Sequence, residues 1–265
     1  MTDAVLYEVR DRIAVITFNR PDRLNAWSPD LHNAYFESLD RAAADPDVRV
    51  IVVTGAGRGW CAGADMDVLQ GIGRRGGTEE EAPVSEQPHK DWAHTHAMTI
   101  PKPIIAAING ACAGLGFVHA LACDIRFAAA GAKFTVAFGR RGLIGEHGMS
   151  WTLPRLVGQA VALDLMLSSR VFLAEEAAEL GVVNRVVPAE DLMHVTMEYA
   201  RDLAQNVSPT SMAVMKRQVY THPSMPIDEA LDDSNQLMRE SLRRPDFKEG
   251  VASFVEKRAP DFPPV

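Results

Sequence analysis

The sequence predicts an α/β fold in which strands feed helices through crossover connections, followed by a region that is helical only. Three observations predict it. Apolar runs at 50–54, 104–108 and 125–128 read as buried strands and alternate with helix-forming stretches. The first two are followed by glycine- and alanine-rich segments, Trp60-Cys61-Ala62-Gly63-Ala64-Asp65-Met66 and Asn109-Gly110-Ala111-Cys112-Ala113-Gly114-Leu115-Gly116, of the kind a chain uses where a strand turns into a helix. Beyond Ala189, helical periodicity continues almost to the end of the chain, with Pro and Ser marking the breaks.

Taken in order, residues 5–9 and 13–18 read as a strand pair turning at Asp11 and Arg12. Ser28 is a helix cap with Pro29 at the first helical position, and that helix runs to Ala44 before Asp45-Pro46 stops it. The strand at 50–54, a short helix at 64–70, a helix at 91–99, the strand at 104–108, a helix at 114–122 and the strand at 125–128 follow. A further helix is expected to begin near Gly148. Residues 71–87 carry glycine, arginine, Glu79-Glu80-Glu81 and Pro83, a composition too polar for a core and read as a loop. The last helices are expected at 189–206, 209–220, 226–242 and 247–258.

At 265 residues the chain suffices for one large domain with a small appendage. Its 27 Lys and Arg against 35 Asp and Glu give a net charge of −8, which argues against nucleic acid or an anionic membrane surface as partner. Cys61, Cys112 and Cys123 are odd in number and lack paired spacing, so they predict packed, reduced thiols instead of disulfides or a zinc site. His94 and His96 lie two apart, a spacing that does not align them on one helix face, so no metal site is expected. There is no basic leader with an apolar core and no uninterrupted apolar run of about 20 residues, and a cytoplasmic location is the expectation.

The two small-residue segments are where chemistry is expected. Each brings main-chain N–H groups to the end of a strand or the start of a helix, where they suit an oxygen that gains negative charge. The alternative for either segment alone is tight strand–helix packing.

These segments, together with Asn19-Arg20-Pro21-Asp22-Arg23-Leu24-Asn25-Ala26, Pro101-Lys102-Pro103, Cys123-Asp124-Ile125-Arg126, Leu180-Gly181-Val182-Val183-Asn184 and Phe254-Val255-Glu256-Lys257-Arg258, resemble the crotonase, or enoyl-CoA hydratase/isomerase, superfamily nearly end to end. The resemblance implies a crotonase-like ββα spiral core over residues 1–188, holding an acyl-CoA site. It implies a helical C-terminal oligomerisation subdomain over 189–265 that builds a homotrimer, commonly paired into a hexamer. No separate cofactor is implied, since CoA is part of the thioester substrate.

Carried onto this chain, the family pattern makes the Ala62 and Leu115 N–H groups the oxyanion donors. CoA contacts fall on Arg23, Leu24, Ala26, Ala62, Gly63, Ala64, Asp65, Met66 and Lys257. The loop at 71–87 is either a surface insertion or a flap over the acyl-chain entrance. The two glutamates of the hydratases correspond to Val118 and Phe138, neither of which transfers a proton. Glu146 falls where some members place a catalytic aspartate and is the leading acid/base candidate. Its alternative is a carboxylate capping the next helix or paired with Arg140 or Arg141. His94, His96 and His147 are read as structural or surface residues, the alternative being that His147 assists Glu146 or that His94 or His96 reaches the site as a proton relay, and His119 as a satisfied core histidine. Trp60, Trp92 and Trp151 are expected in the core, and Phe138 in a dry acyl pocket. The expected function is therefore a CoA-thioester enzyme working through an enolate, with double-bond isomerisation favoured over hydration. The alternatives are a non-catalytic acyl-CoA carrier or sensor and a thioester hydrolase.

Overall fold

The computed structural model describes residues 4–74 and 93–264. β1 (Val5–Arg10) and β2 (Ile13–Phe18) form the expected antiparallel pair, with Arg10 opposite Ile13. Asp11 and Arg12 both take left-handed backbone, φ 53° and 64°, the two-residue turn whose twist matches its strands. α1 (Pro29–Ala44) starts as its sequence dictates, with Ser28 Oγ accepting the Leu31 N–H at 3.3 Å. Buried Lys102 closes the other end by donating Nζ to the Ala42 and Asp45 carbonyls at 2.8 and 2.6 Å.

Three strand–strand–helix turns then follow. β3 (Val50–Gly55), β4 (Gly59–Cys61) and α2 (Met66–Arg74) make the first. β5 (Ile104–Ile108), β6 (Ala111–Ala113) and α3 (Leu115–Ala122) make the second. The third is β7 (Ile125–Ala129) and β8 (Lys133–Thr135), with α4 (Met149–Val157) and α5 (Gln159–Ser168). β9 (Phe172–Leu173), α6 (Ala174–Glu179) and β10 (Arg185–Val187) complete the spiral. The chain ends in α7 (Leu192–Asn206), α8 (Pro209–Thr221), α9 (Ile227–Ser241) and α10 (Pro245–Glu256).

Each turn gives one strand to each of two sheets. The larger runs β1-β2-β3-β5-β7-β10 and is parallel beyond β2; the smaller runs β4-β6-β8-β9. Side-chain alternation splits the larger sheet's apolar residues between two cores. Ala14, Ile16, Phe18, Ile51 and Val53 face Trp60, Phe117 and α1, whereas Ile13, Val15, Val50 and Val52 face Leu192, Met197, Ala200 and Ala204 of α7. Among the described residues no helix is long and apolar enough to cross a membrane.

Four expectations change. The smaller sheet is absent from the sequence reading because strands of two or three residues are too short to show alternation. The helix expected from Ala64 begins at Met66, since Ala64 bridges to Trp27 and Asp65 Oδ1 takes the Asp67 N–H at 3.1 Å as a cap. The helix expected over 91–99 is a 3-10 turn, Ala93–Met98, and residues 91–92, Trp92 included, lie outside the described residues. Of the expected loop at 71–87, residues 71–74 finish α2 and the remainder also lies outside them.

Candidate active site

The two small-residue segments meet. β4 and β6 pair in parallel with Cys61 beside Cys112, so the chain leaving each strand runs alongside the other. A Cβ on Gly114 would sit 3.9 Å from Gly63 Cα, and one on Gly63 would come within 3.0 Å of the Ala113 carbonyl oxygen. Gly63 has φ 98° and Gly114 φ 49°, which L side chains adopt only with strain. At Gly116 a Cβ would overlap the Cys61 carbonyl, so α3 also needs glycine to lie this close.

The amides of the first segment are differently engaged, and this corrects the expectation for Ala62. The Ala62 N–H donates to the Leu24 carbonyl at 3.1 Å, so it is committed to holding the loop that precedes α1. The Gly63 N–H faces the Cys61 thiol and offsets part of the rise that burial causes there. Trp27 N–H donates to Gly63 O at 2.7 Å, and Asp65 N–H donates to Trp27 O at 2.9 Å. In a parallel bridge of this pattern the residue between the two bonded groups directs its own N–H to the opposite side. That residue is Ala64. Leu115 stands at the first position of α3, with Gly114 as its cap, and an N–H there has no acceptor within its own helix. The missing signal was the bridge to Trp27, a partner 37 residues away in sequence by the numbering.

The loop at 20–26 is pinned beneath this pair by residues the sequence reading left without a role. Asn25, fully buried, accepts the Arg20 N–H on Oδ1 at 2.8 Å and donates Nδ2 to Ala56 and Gly59 carbonyls. The Arg20 guanidinium binds the Ala26 carbonyl and reaches Asp65 Oδ2 at 2.8 Å. The Arg20 hydrogen bond holds the Asp65 carboxyl below its usual range, and burial opposes it. Asp65 is thus a structural carboxylate. Arg23 points outward and pairs loosely with Asp67 at 3.4 Å, while Leu24 takes left-handed backbone, φ 50°. Met66 is exposed beside them.

Val118 and Phe138 are both buried and apolar. The Phe138 ring edge lies 3.9 Å from the position of a Cβ on Gly114, so an aromatic ring closes the wall beside the two segments. Glu146 is partly exposed and has its Oε2 3.6 Å from His147 Nε2, too long for a hydrogen bond. Neither Arg140 nor Arg141 is its partner: they donate to the Ser168 and Ala137 carbonyls.

His147 opens onto a cluster that the sequence did not suggest. Its ring lies 3.9 Å from that of His94, whose Nδ1 is 3.1 Å from His119 Nε2. His119 stacks on Trp27 at 3.8 Å, and His32 adjoins His94 at 5.5 Å. Burial holds all four imidazoles below their ordinary range, His94 down to about 3 with His147 and His32 adding to the effect. His119 is the satisfied core histidine expected. His96 is on the surface, paired with Asp40 at 2.6 Å.

The remaining expected residues are dispersed. Lys257 caps the end of α10 with φ 53°, beside exposed Phe254. Trp60 is fully buried in the core, and Trp151 is partly exposed under the Arg155 guanidinium at 3.7 Å. Cys61, Cys112 and Cys123 are free and buried, the first and last pushed up to about 12 by burial. Among the described residues no group of three or more His, Cys, Asp or Glu is arranged to hold a metal ion.

The two-sheet spiral thus brings the two small-residue segments together at paired glycine turns. The chain belongs to the enoyl-CoA hydratase/isomerase family, whose model matches residues 8–264. It is 35% identical over 263 residues to the 1,2-epoxyphenylacetyl-CoA isomerase of Escherichia coli, covering 99% of each chain. A crystal structure of an enoyl-CoA hydratase from Mycobacterium marinum is 53% identical, covers 84% of this chain and 100% of its own, and superposes with a TM-score of 0.70. That of an enoyl-CoA hydratase from Polaromonas sp. JS666 is 31% identical, covers 97% and 99%, and gives 0.87.

Proposed function

We propose that this enzyme binds an acyl-CoA thioester, stabilises its enolate with the Ala64 and Leu115 N–H groups, and moves a double bond with Glu146 as the acid/base. The observation that carries the reading is the abutment of Gly63 and Gly114, which starts the amides of Ala64 and Leu115 from adjoining backbone. Two donors aimed at a developing oxyanion are worth about 3 kcal/mol each on the scale of other enzymes. CoA would lie along Arg23, Leu24, Ala26 and residues 62–66, with the Arg23 guanidinium on phosphate. Lys257 would reach CoA phosphate in the assembled oligomer.

Isomerisation is favoured over hydration because Val118 and Phe138 leave two apolar walls where water would need a base and a proton donor. One carboxylate suffices to take a proton from one carbon and return it to another. A homotrimer or hexamer is supported by apolar side chains on the last helices, Ile227 at 76%, Val255 at 72% and Phe254 at 85% exposure. The substrate supplies CoA, and no further cofactor is proposed.

The test is turnover of trans-3-hexenoyl-CoA in heavy water, with products followed by mass spectrometry. Formation of the 2-enoyl thioester carrying deuterium, abolished in Glu146→Gln, is the expected result. Tight binding without any product would make the protein a carrier, free CoA would make it a hydrolase, and water addition as the main outcome would overturn the preference for isomerisation.

A further inference from the structure

We propose that the rings of His119, His94 and His147 form a clamp that seats the Glu146 carboxylate, with His94 as its positioning residue. The proposal rests on the reading of Glu146 as the acid/base.

Four observations lead to it. The contacts follow one another: Trp27 against His119 at 3.8 Å, His119 Nε2 to His94 Nδ1 at 3.1 Å, His94 against His147 at 3.9 Å, and His147 Nε2 beside Glu146 Oε2 at 3.6 Å, a charge–dipole contact and not a hydrogen bond. Core filling does not require imidazoles: a buried polar ring costs stability unless its nitrogens are bonded, and phenylalanine or leucine would fill the same space without that cost. The His119 ring is buried and its Nε2 is met by His94. His147 takes left-handed backbone, φ 53°, immediately before Gly148 at φ 78°, a region few non-glycine residues enter and one that histidine enters more readily than most, and this tight turn sets the ring's direction. The turn is held there against the 3-10 segment, since a Cβ on Gly148 would lie 3.3 Å from Thr95 Cγ2.

The anchored end of the series is what gives the clamp meaning. His119 lies one helical turn after Leu115 on α3. Trp27, on which it stacks, is the residue whose backbone brackets Ala64. Both proposed donors and the proposed acid/base are therefore referred to the same two elements. A shift of about 1 Å in a catalytic group is enough to cost about a hundredfold in rate, so a rigid support for a carboxylate on an otherwise exposed turn has a direct kinetic consequence.

The test compares Glu146→Gln, His94→Phe, His119→Phe and His119→Gln, using kcat and KM for trans-3-hexenoyl-CoA and calorimetric binding of butanoyl-CoA. His94→Phe keeps a ring against His147 but loses the bond to His119; His119→Gln places an amide where Nε2 stood. Expected are losses of about 10- to 100-fold in kcat for both phenylalanine variants. KM and butanoyl-CoA affinity should stay within about twofold of wild type, and His119→Gln should recover most of kcat. Parallel loss of kcat and binding in the phenylalanine variants, or a His119→Gln as damaged as His119→Phe, would reduce the cluster to core packing. Should His119→Phe fail to fold, His94→Phe against His119→Gln still decides. Unchanged kcat in His94→Phe while Glu146→Gln is inactive overturns the clamp alone; full turnover in Glu146→Gln overturns the acid/base reading and the clamp with it.

Discussion

The imidazole cluster should make this fold labile in mild acid. His32, His94, His119 and His147 all have folded-state pKa values below the ordinary 6.5, with burial the largest cause in each. As pH falls below 6.5 the unfolded chain takes up protons that the folded chain refuses. Stability is therefore constant above that value, falls as pH drops beneath it, and stops falling for each residue only below its folded pKa, about 3 for His94. The slope is about 1.4 kcal/mol per pH unit for each proton so excluded. Two units below 6.5, His94 alone removes about 2 to 3 kcal/mol, a large part of a typical margin of about 5 to 15 kcal/mol. Asp65, with its carboxyl held low by Arg20, contributes stability that is lost only below 3.8 and stays outside this window. Asp124, raised by burial despite Lys216, works in the opposite sense between 3.8 and its folded value. Comparison with a variant removes that background. Urea midpoints for wild type and His94→Asn, which keeps a hydrogen-bonding group near the Nδ1 position, should converge as pH falls from about 7.5 to about 4.5 because the variant loses less. Equal pH slopes in the two proteins would show that His94 is not buried as a neutral base.

Three further changes probe the rest of the site. Leu115→Pro deletes one N–H at the helix position that best tolerates proline, and enolate-dependent turnover should fall about 100- to 1000-fold with thioester binding largely kept; calorimetry beside kinetics separates the two. Arg20→Met leaves the buried Asp65 carboxylate without its guanidinium and should cost about 3 kcal/mol in urea unfolding at neutral pH, less once the carboxyl is protonated. Val118→Glu with Phe138→Glu restores acidic groups to buried positions; water addition to crotonyl-CoA, followed by mass, should rise from baseline while stability drops, and no gain would mean that more than those two carboxylates separates this site from a hydratase.

What was legible in the sequence was local. Ser28-Pro29, Asp11-Arg12 and the apolar strand runs announce their structure within a few residues, because caps, tight turns and alternation are short-range effects. The family motifs were visible without their reasons. Lys102 is there to close α1 from across the fold. Arg126, buried, donates to the Cys123 and Val182 carbonyls while Asn184 accepts its N–H, which ties two of the quoted motifs together. The four imidazoles come from α1, the 3-10 turn, α3 and the turn before α4, and nothing in their spacing foretells that they converge. The choice between Ala62 and Ala64 was likewise hidden, because both have the same small side chain and only the Leu24 and Trp27 backbones tell them apart.

The distribution of charge bears on which reaction such a site favours. Arg20 neutralises Asp65 and Arg23 faces Asp67, Val118 and Phe138 are apolar, and burial lowers the basicity of the four imidazoles. That leaves Glu146 as the carboxylate beside the cluster that is free of a guanidinium partner among the described residues. Hydration asks for two coordinated transfers, one activating water and one delivering a proton to carbon, and so for two groups of suitable acidity. A 1,3-shift of a double bond asks for one group that reaches two carbons of the same enolate. With imidazoles of lowered basicity behind it, Glu146 has no strong base beside it among the described residues to take its captured proton, so that proton is lost only by exchange with solvent, and deuterium in the product should be present but below what free exchange would give.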